Sequence, residues 1–420
     1  MTRLLYNVAL FLALPWVWGR LFVRARREPA YRERIAERFG RVPPQVSSGV
    51  IWFHTVSAGE TNAAAPLIRA IAEYFPADTI LVTTMTPTGS ARVGILLGES
   101  VEHCYAPYDY PWAVRRFLDR TRPKALVIME TELWPNLIAE TSARGAPVLL
   151  VNARLSARSY RGYRRVGGFT RRMLERIDGI LCQYEDTAER FRSLGAASVE
   201  VTGSVKFDAE MPPDAFGVGD LGFGDSPVWI AGSTHAGEEA VVLDAQLELR
   251  QRLPKLRLIL VPRHPARTPE VLRLAADRGL SVGLLSERAR GVDVLVGDVM
   301  GTLPHLYPLA RIAFVGGSLD RTGGHNPIEA AVHGLPVLMG PARFDVEEIC
   351  ARFAAAGCLH PVTGVDDMVE VVGGLLNDPA RCAREGERAK AVVESNRGAR
   401  QAVVDKLRAR LARIFHQGPR

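Results

Sequence analysis

The chain has 420 residues, 47% hydrophobic and 24% charged, which excludes a disordered chain and supports two domains of about 200 residues each. Its formal net charge of +7, from 53 Lys and Arg against 46 Asp and Glu, admits nucleic acid, an anionic membrane surface or anionic substrates as partners. With no zinc-finger spacing and no aromatic RNA-binding signature, nucleic acid drops out, while five dispersed cysteines without CxxC spacing predict a reducing compartment, no disulfides and no metal cluster.

Leu4 to Val17 is an apolar run broken by Tyr6, Asn7 and Pro15, with Trp16 near its end and Arg20, Arg24, Arg26, Arg27 and Arg32 beyond it. Tryptophan at the edge of an apolar segment and arginines just past it are interface and positive-inside signals. The run is short for a full span, and no small-residue cleavage site precedes the arginines. It reads as an uncleaved anchor, interfacial or spanning, with the body of the protein on the cytoplasmic side; a core helix of the first domain is the competing reading. Tyr31 to Phe39 reads as a solvated helix or one lying along the membrane face.

From Val50 onward apolar runs alternate with helical spacing. Val50–His54, Thr79–Thr84, Ala125–Met129, Pro147–Val151, Gly179–Cys182 and Ser198–Thr202 are candidate strands, the signature of a parallel sheet covered on both faces. Met211 to Pro227, rich in glycine and proline, is the linker candidate. A second alternation follows with Val228–Gly232, Arg257–Val261, Val292–Val296, Arg311–Gly316 and Pro336–Met339. Two doubly wound α/β domains in tandem predict a cleft between them, and Ala380 to Phe415 reads as helices.

Ligands of such sheets meet the carboxyl ends of the strands, so the polar residues there are the candidates. Thr55 to Glu60 is expected as the turn after the first strand. Glu60 is either a first-turn acid favoured by the helix dipole or a catalytic base. Glu130 and Glu132 directly follow an apolar strand, where a carboxylate needs a partner or solvent. Thr88 and Arg154, at other strand ends of this domain, are candidate acceptor contacts. In the second domain Ser233 and His235 lie in a small hydroxyl-rich turn suited to anions, and Arg263 with His264 offers a fixed cation beside a titratable one. Gly316, Gly317 and Gly324 allow close backbone approach, while Asn326 can cap a helix that begins at Pro327 and carries Glu329 in its first turn. No Walker motif is present, and no GxGxxG opens the first domain.

His54-Thr55-Val56-Ser57-Ala58-Gly59-Glu60, Thr83 to Gly89, Met129 to Asn136, Asn152 to Ser156, Gly203 to Asp208, Pro262-Arg263-His264-Pro265 and Gly323 to Glu329 resemble, in order, the motifs of the 3-deoxy-D-manno-octulosonic acid (Kdo) transferases. The resemblance covers nearly the whole chain. It implies a GT-B type glycosyltransferase with two Rossmann-like domains facing a cleft: an anchor at 1–27, an acceptor domain at 28–212, a linker at 213–226, a CMP-Kdo-binding domain at 227–395 and a C-terminal helix at 396–420. It further implies inverting transfer of Kdo from CMP-Kdo to a lipid A precursor at the cytoplasmic face of the inner membrane, without a cofactor or bound metal. By the same resemblance Glu60 is the general base, and Glu130, Lys206, Arg263, Asn326 and Glu329 line the cleft, Glu130 as a second catalytic candidate and Lys206, Arg263, Asn326 and Glu329 as donor contacts. The alternatives are a nucleotide-sugar 2-epimerase of the same fold and a catalytically inactive membrane-tethered binding protein.

Overall fold

The structure, a computed structural model, describes residues 2–208 and 221–417. Two compact units emerge: residues 1–208 together with 397–420, and residues 209–396. The predicted linker at 213–226 lies largely outside the described residues, although Leu221 and Phe223 at its end are buried.

The first unit is built on a parallel sheet of β1 (Ile51–His54), β2 (Ile80–Thr84), β3 (Glu102–Tyr105), β4 (Ala125–Met129), β5 (Val148–Ala153), β6 (Gly179–Cys182) and β7 (Val199–Val201). Their spatial order is β3-β2-β1-β4-β5-β6-β7. The apolar runs are continuous because successive side chains enter different cores. Trp52, Leu81, Leu126 and Ile128 pack on one face, and Ile51, Phe53, Val82, Val127 and Met129 on the other. The second unit repeats the plan with β8 (Val228–Thr234), β9 (Arg257–Pro262), β10 (Val282–Leu284), β11 (Val294–Val296), β12 (Ile312–Val315), β13 (Val337–Met339) and β14 (Leu359–Pro361), ordered β10-β11-β9-β8-β12-β13-β14.

The order reverses between β1 and β4 in the first sheet and between β8 and β12 in the second. At such a switch point the flanking connections leave in opposite directions and open a crevice. Glu60 follows β1, Glu130 follows β4, Ser233 and His235 lie at the end of β8, and Gly316 follows β12. Each set of motifs thus sits where its own sheet is built to hold a ligand.

Three strands escaped the sequence reading: β3, β10 and β14. All are at sheet edges and half-exposed, so none shows a long apolar run. The stretch Tyr31 to Phe39 also differs from expectation. It folds into Pro29–Arg32 and Ile35–Arg38 turns, and Glu37 and Arg38 are buried, not solvated. Glu37 accepts the Tyr105 N–H at 2.7 Å, and the Arg38 guanidinium lies 4.0 Å from the Tyr105 ring centroid.

The amino-terminal run forms one helix, α1 (Arg3–Arg27), continuous through Pro15 and longer than its apolar stretch suggests. It is long and apolar enough to cross a membrane and only 11% buried. At the other end of the chain, helix Ala399–Gln417 returns to the first unit and inserts Val403, Val404, Leu407 and Leu411 into one face of its sheet. The Asp208 carboxylate fixes this return by accepting the Gly398 and Arg400 N–H groups at 2.7 and 2.6 Å.

Candidate functional site

In the first unit Glu60 lies inside a helix, Ala58–Tyr74, one turn earlier than its apolar spacing alone suggests. Ser57 is the N-cap; its Oγ accepts the Glu60 N–H at 3.3 Å and donates to Glu60 Oε1 at 3.1 Å. Glu60 Oε2 reaches back to accept the Val56 N–H at 2.9 Å. This is a variant of the capping box in which the carboxylate holds the amide one residue before the N-cap, so the helix-start role read from the sequence is present in fact. It does not account for the electrostatics. Burial, followed by the nearby Glu132 and then Glu130 carboxylates, pushes the Glu60 carboxyl up to about 8, against the downward pull of Val56 and Ser57. Such a group exchanges a proton near neutral pH, as a general base must.

Glu130 adopts a left-handed backbone, φ 54°, and its carboxylate pairs with Lys206 Nζ at 3.1 Å. Asn152, also left-handed at φ 51°, accepts the Val205 N–H on its Oδ1 at 3.2 Å and so holds the Lys206 segment against the sheet. Non-glycine residues at positive φ are uncommon and cluster at functional sites. Lys206, expected among the donor contacts, therefore belongs to the first unit and sits beside Glu130. Thr88 is exposed in the first turn of helix Pro87–Leu97, after β2, and Arg154 follows β5 with its backbone carbonyl bonded to Thr131. Buried His54 is held neutral, its pKa lowered by burial to about 3. Glu132, which accepts the Trp134 indole N–H at 2.8 Å, was noted in the sequence beside Glu130 but given no role there; its charge acts on Glu60. Its signal was the second acid of the Glu130-Thr131-Glu132 string.

In the second unit the glycine-rich turn differs from expectation. Gly316 N–H bonds to the Gly232 carbonyl. The next three amides, of Gly317, Ser318 and Leu319, point at the buried Glu238 carboxylate at 2.8, 2.9 and 2.9 Å, and the His235 N–H joins them at 2.9 Å. The anion these amides cradle is a side chain of the protein, so Gly316 and Gly317 do not offer their N–H groups to a phosphate. What Gly317 provides is space, since a Cβ there would lie 2.9 Å from the His325 ring, at φ +66°. His325 stacks on His235 at 5.1 Å between centroids, with their Nε2 atoms 2.8 Å apart, and His264 meets His235 edge-on at 5.9 Å. Burial, with His235 and Arg263 nearby, lowers the His325 pKa to about 4.

Arg263 is exposed at the end of β9 and its N–H bonds to the Thr234 carbonyl at 2.9 Å, which brings it beside the β8 turn. Ser233 is the third left-handed strand-end residue, φ 56°. Gly324, at φ +82°, donates to the Gly317 carbonyl at 2.6 Å and ties the two glycine pairs together. Asn326 Oδ1 accepts the Ile328 N–H at 3.2 Å, but the helix it precedes is the single turn Ile328–Ala331, too short for much dipole. Glu329 lies in that turn; burial raises its carboxyl pKa and Arg263 draws it back down. With these amides taken up by Glu238, the groups of this site that remain suited to an anion are its side-chain cations and imidazoles; Glu238 and His325 are the residues the sequence did not single out.

A family model described as 3-deoxy-D-manno-octulosonic-acid transferase matches residues 33–209. The chain is 36% identical to the 3-deoxy-D-manno-octulosonic acid transferase of Haemophilus influenzae, over 98% of this chain and 100% of that protein. The chain belongs to the Kdo transferase family. The Bordetella pertussis Kdo transferase is likewise 36% identical, over 97% of this chain and 99% of its own length. Kdo transferases are glycosyltransferases, and the chain is an enzyme of that class acting in lipopolysaccharide biosynthesis. Among solved structures, the UDP-GlcNAc 2-epimerase of Neisseria meningitidis superposes with a TM-score of 0.58 at 16% identity, covering 86% of this chain and 99% of that one. At that identity the likeness speaks for fold, the GT-B arrangement of two Rossmann-like sheets, and leaves the epimerase reading without support of its own.

Proposed function

We propose that this Kdo transferase moves Kdo from CMP-Kdo to the lipid A precursor lipid IVA with inversion at the anomeric carbon, Glu60 serving as general base. The observation that carries the reading is Glu60 itself: a buried carboxylate at the switch point of the first sheet, raised to about 8. Glu60 takes the proton of the acceptor 6′-hydroxyl as that oxygen bonds to the anomeric carbon, and the bond from that carbon to the CMP phosphate breaks. The donor carries a phosphate and a sugar carboxylate, for which Arg263, His264, His235 and Lys206 are suited partners. Asn326, Glu329 and Ser233 would bind the nucleoside and sugar hydroxyls, while Thr88 and Arg154 would meet the acceptor. Side-chain cations make a divalent metal unnecessary for transfer, so chelation with EDTA should leave the rate unchanged. The exposed apolar face of α1 and the arginines at its end support attachment to the cytoplasmic leaflet of the inner membrane.

The test is transfer of labelled Kdo from CMP-Kdo, generated in place, to tetra-acylated bis-phosphorylated lipid IVA, with mass analysis to count the sugars. Glu60→Gln should cost about 10²- to 10⁴-fold in kcat with folding intact. A Glu60→Gln enzyme that keeps most of its turnover would remove Glu60 from the role and direct the search to Glu130.

A further inference from the structure

We propose that α1 lies in the membrane plane along its whole length, docked on the first unit, and does not cross the bilayer. The proposal rests on the membrane attachment argued above and specifies its geometry. Arg3, Asn7, Leu10, Leu14, Val17 and Leu21 recur every three or four residues and are all covered or half-covered, with Tyr6 and Ala13 half-covered beside them and the other residues between them exposed. That periodicity is one continuous stripe of helix facing the unit from the first turn to the last.

The stripe begins in a polar socket. Arg3 Nε donates to Asn136 Oδ1 at 2.8 Å, and its guanidinium also pairs with Glu140. Tyr6 donates its hydroxyl to Asp109 Oδ2 at 2.9 Å, Asn136 Nδ2 donates to Asn7 Oδ1 at 2.8 Å, and the Tyr110 hydroxyl donates to the Leu10 carbonyl at 3.1 Å. Asp109, Asn136 and Glu140 are themselves buried. The far end is held as well, where Trp18 stacks on Phe39 at 5.1 Å and Leu21 and Ala25 are buried.

A helix of this length is about 38 Å long, enough to cross the hydrocarbon. In a crossing helix the first turns would be a bilayer away from the unit or would leave Tyr6 and Asn7 without partners in lipid, which is costly. Both ends can contact the same unit only if the helix runs along it. The outward face then has one fitting occupant. Leu4, Leu5, Val8, Leu12, Trp16 and Phe22 are exposed, and the Arg20 and Arg26 guanidiniums lie 5.2 and 5.0 Å from the Trp16 and Phe22 ring centroids. An apolar stripe ending in arginines on aromatic rings suits the boundary of an anionic phospholipid leaflet, with side chains among the acyl chains and cations at the phosphates. Asn136, inside the motif that carries Glu130 and Glu132, is then a docking residue for the helix.

All five cysteines are buried, so single reporters can be added to the full chain. Thr2→Cys marks the start of the helix and Glu370→Cys, exposed on the second unit, marks the side of the catalytic units. Membrane-impermeant maleimide is applied to intact spheroplasts and to inverted membrane vesicles. In-plane docking predicts that both reporters label from the same side, in the inverted vesicles, and that Leu12→Cys labels only after detergent. Labelling of Thr2→Cys and Glu370→Cys from opposite sides overturns the proposal and keeps the membrane reading. Protein that stays in the supernatant on ultracentrifugation overturns both, while transfer activity reports separately on catalysis.

Discussion

Glu60 carries two roles that pull on its proton in opposite senses. As a cap it is favoured as the anion; as a buried neighbour of Glu132 and Glu130 it is favoured as the acid, and the second influence prevails at about 8. The rate should therefore rise with pH through roughly that value in a kcat/KM profile. Removing the acid with the larger influence, by Glu132→Gln, should move this limb to lower pH. Stability runs the other way: the folded carboxyl keeps its proton up to about 8, the unfolded one releases it near 4.5, and the folded state loses stability as pH rises through that window. Glu60→Gln, inactive, should consequently melt higher than wild type above pH 8, by roughly 1 kcal/mol or more, a few degrees in Tm. Glu60 was legible because it ended an apolar strand in a small-residue turn. Glu132 was harder to read, since its effect passes through space to a residue on the helix that follows another strand.

At the level of elements, Glu238 binds the β8 turn to the β12 loop through four amides at once. Glu238→Ala should leave these buried donors without an acceptor and cost about 3 kcal/mol or more, measured as a fall in Tm of the full chain. Gly316 and Gly317 suggested from sequence a close backbone approach to a ligand, and the Gly317, Ser318 and Leu319 amides do converge on an anion. The sequence could not tell that the anion is supplied 79 residues away in the chain by Glu238 to Gly317. Strands with both faces covered were equally legible, because burial on two sides demands an unbroken apolar run, as in Ile51 to Phe53. The edge strands β3, β10 and β14 are covered on less surface and carry residues such as Glu102 and His103 that no strand pattern selects.

On the scale of the molecule, the two parallel sheets and their tandem order could be read from the alternation of runs. The path of the last helix could not, because the amphipathic spacing of Val403, Val404, Leu407 and Leu411 does not say which sheet it covers. Leu407→Ala should destabilise the first unit by about 2–5 kcal/mol, although the residue lies beyond the second in sequence. Chemical denaturation monitored at Trp52, buried in that unit, would check it. The route of the chain also has a consequence for its synthesis. The second unit is an insertion: roughly 200 residues must be translated between Val205 and Val403 before the face they share can close. At about 5–20 residues per second, the nascent first sheet waits some 10–40 s with an oily surface uncovered, an interval in which a chaperone or the leaflet that receives α1 has its best opportunity to shield it.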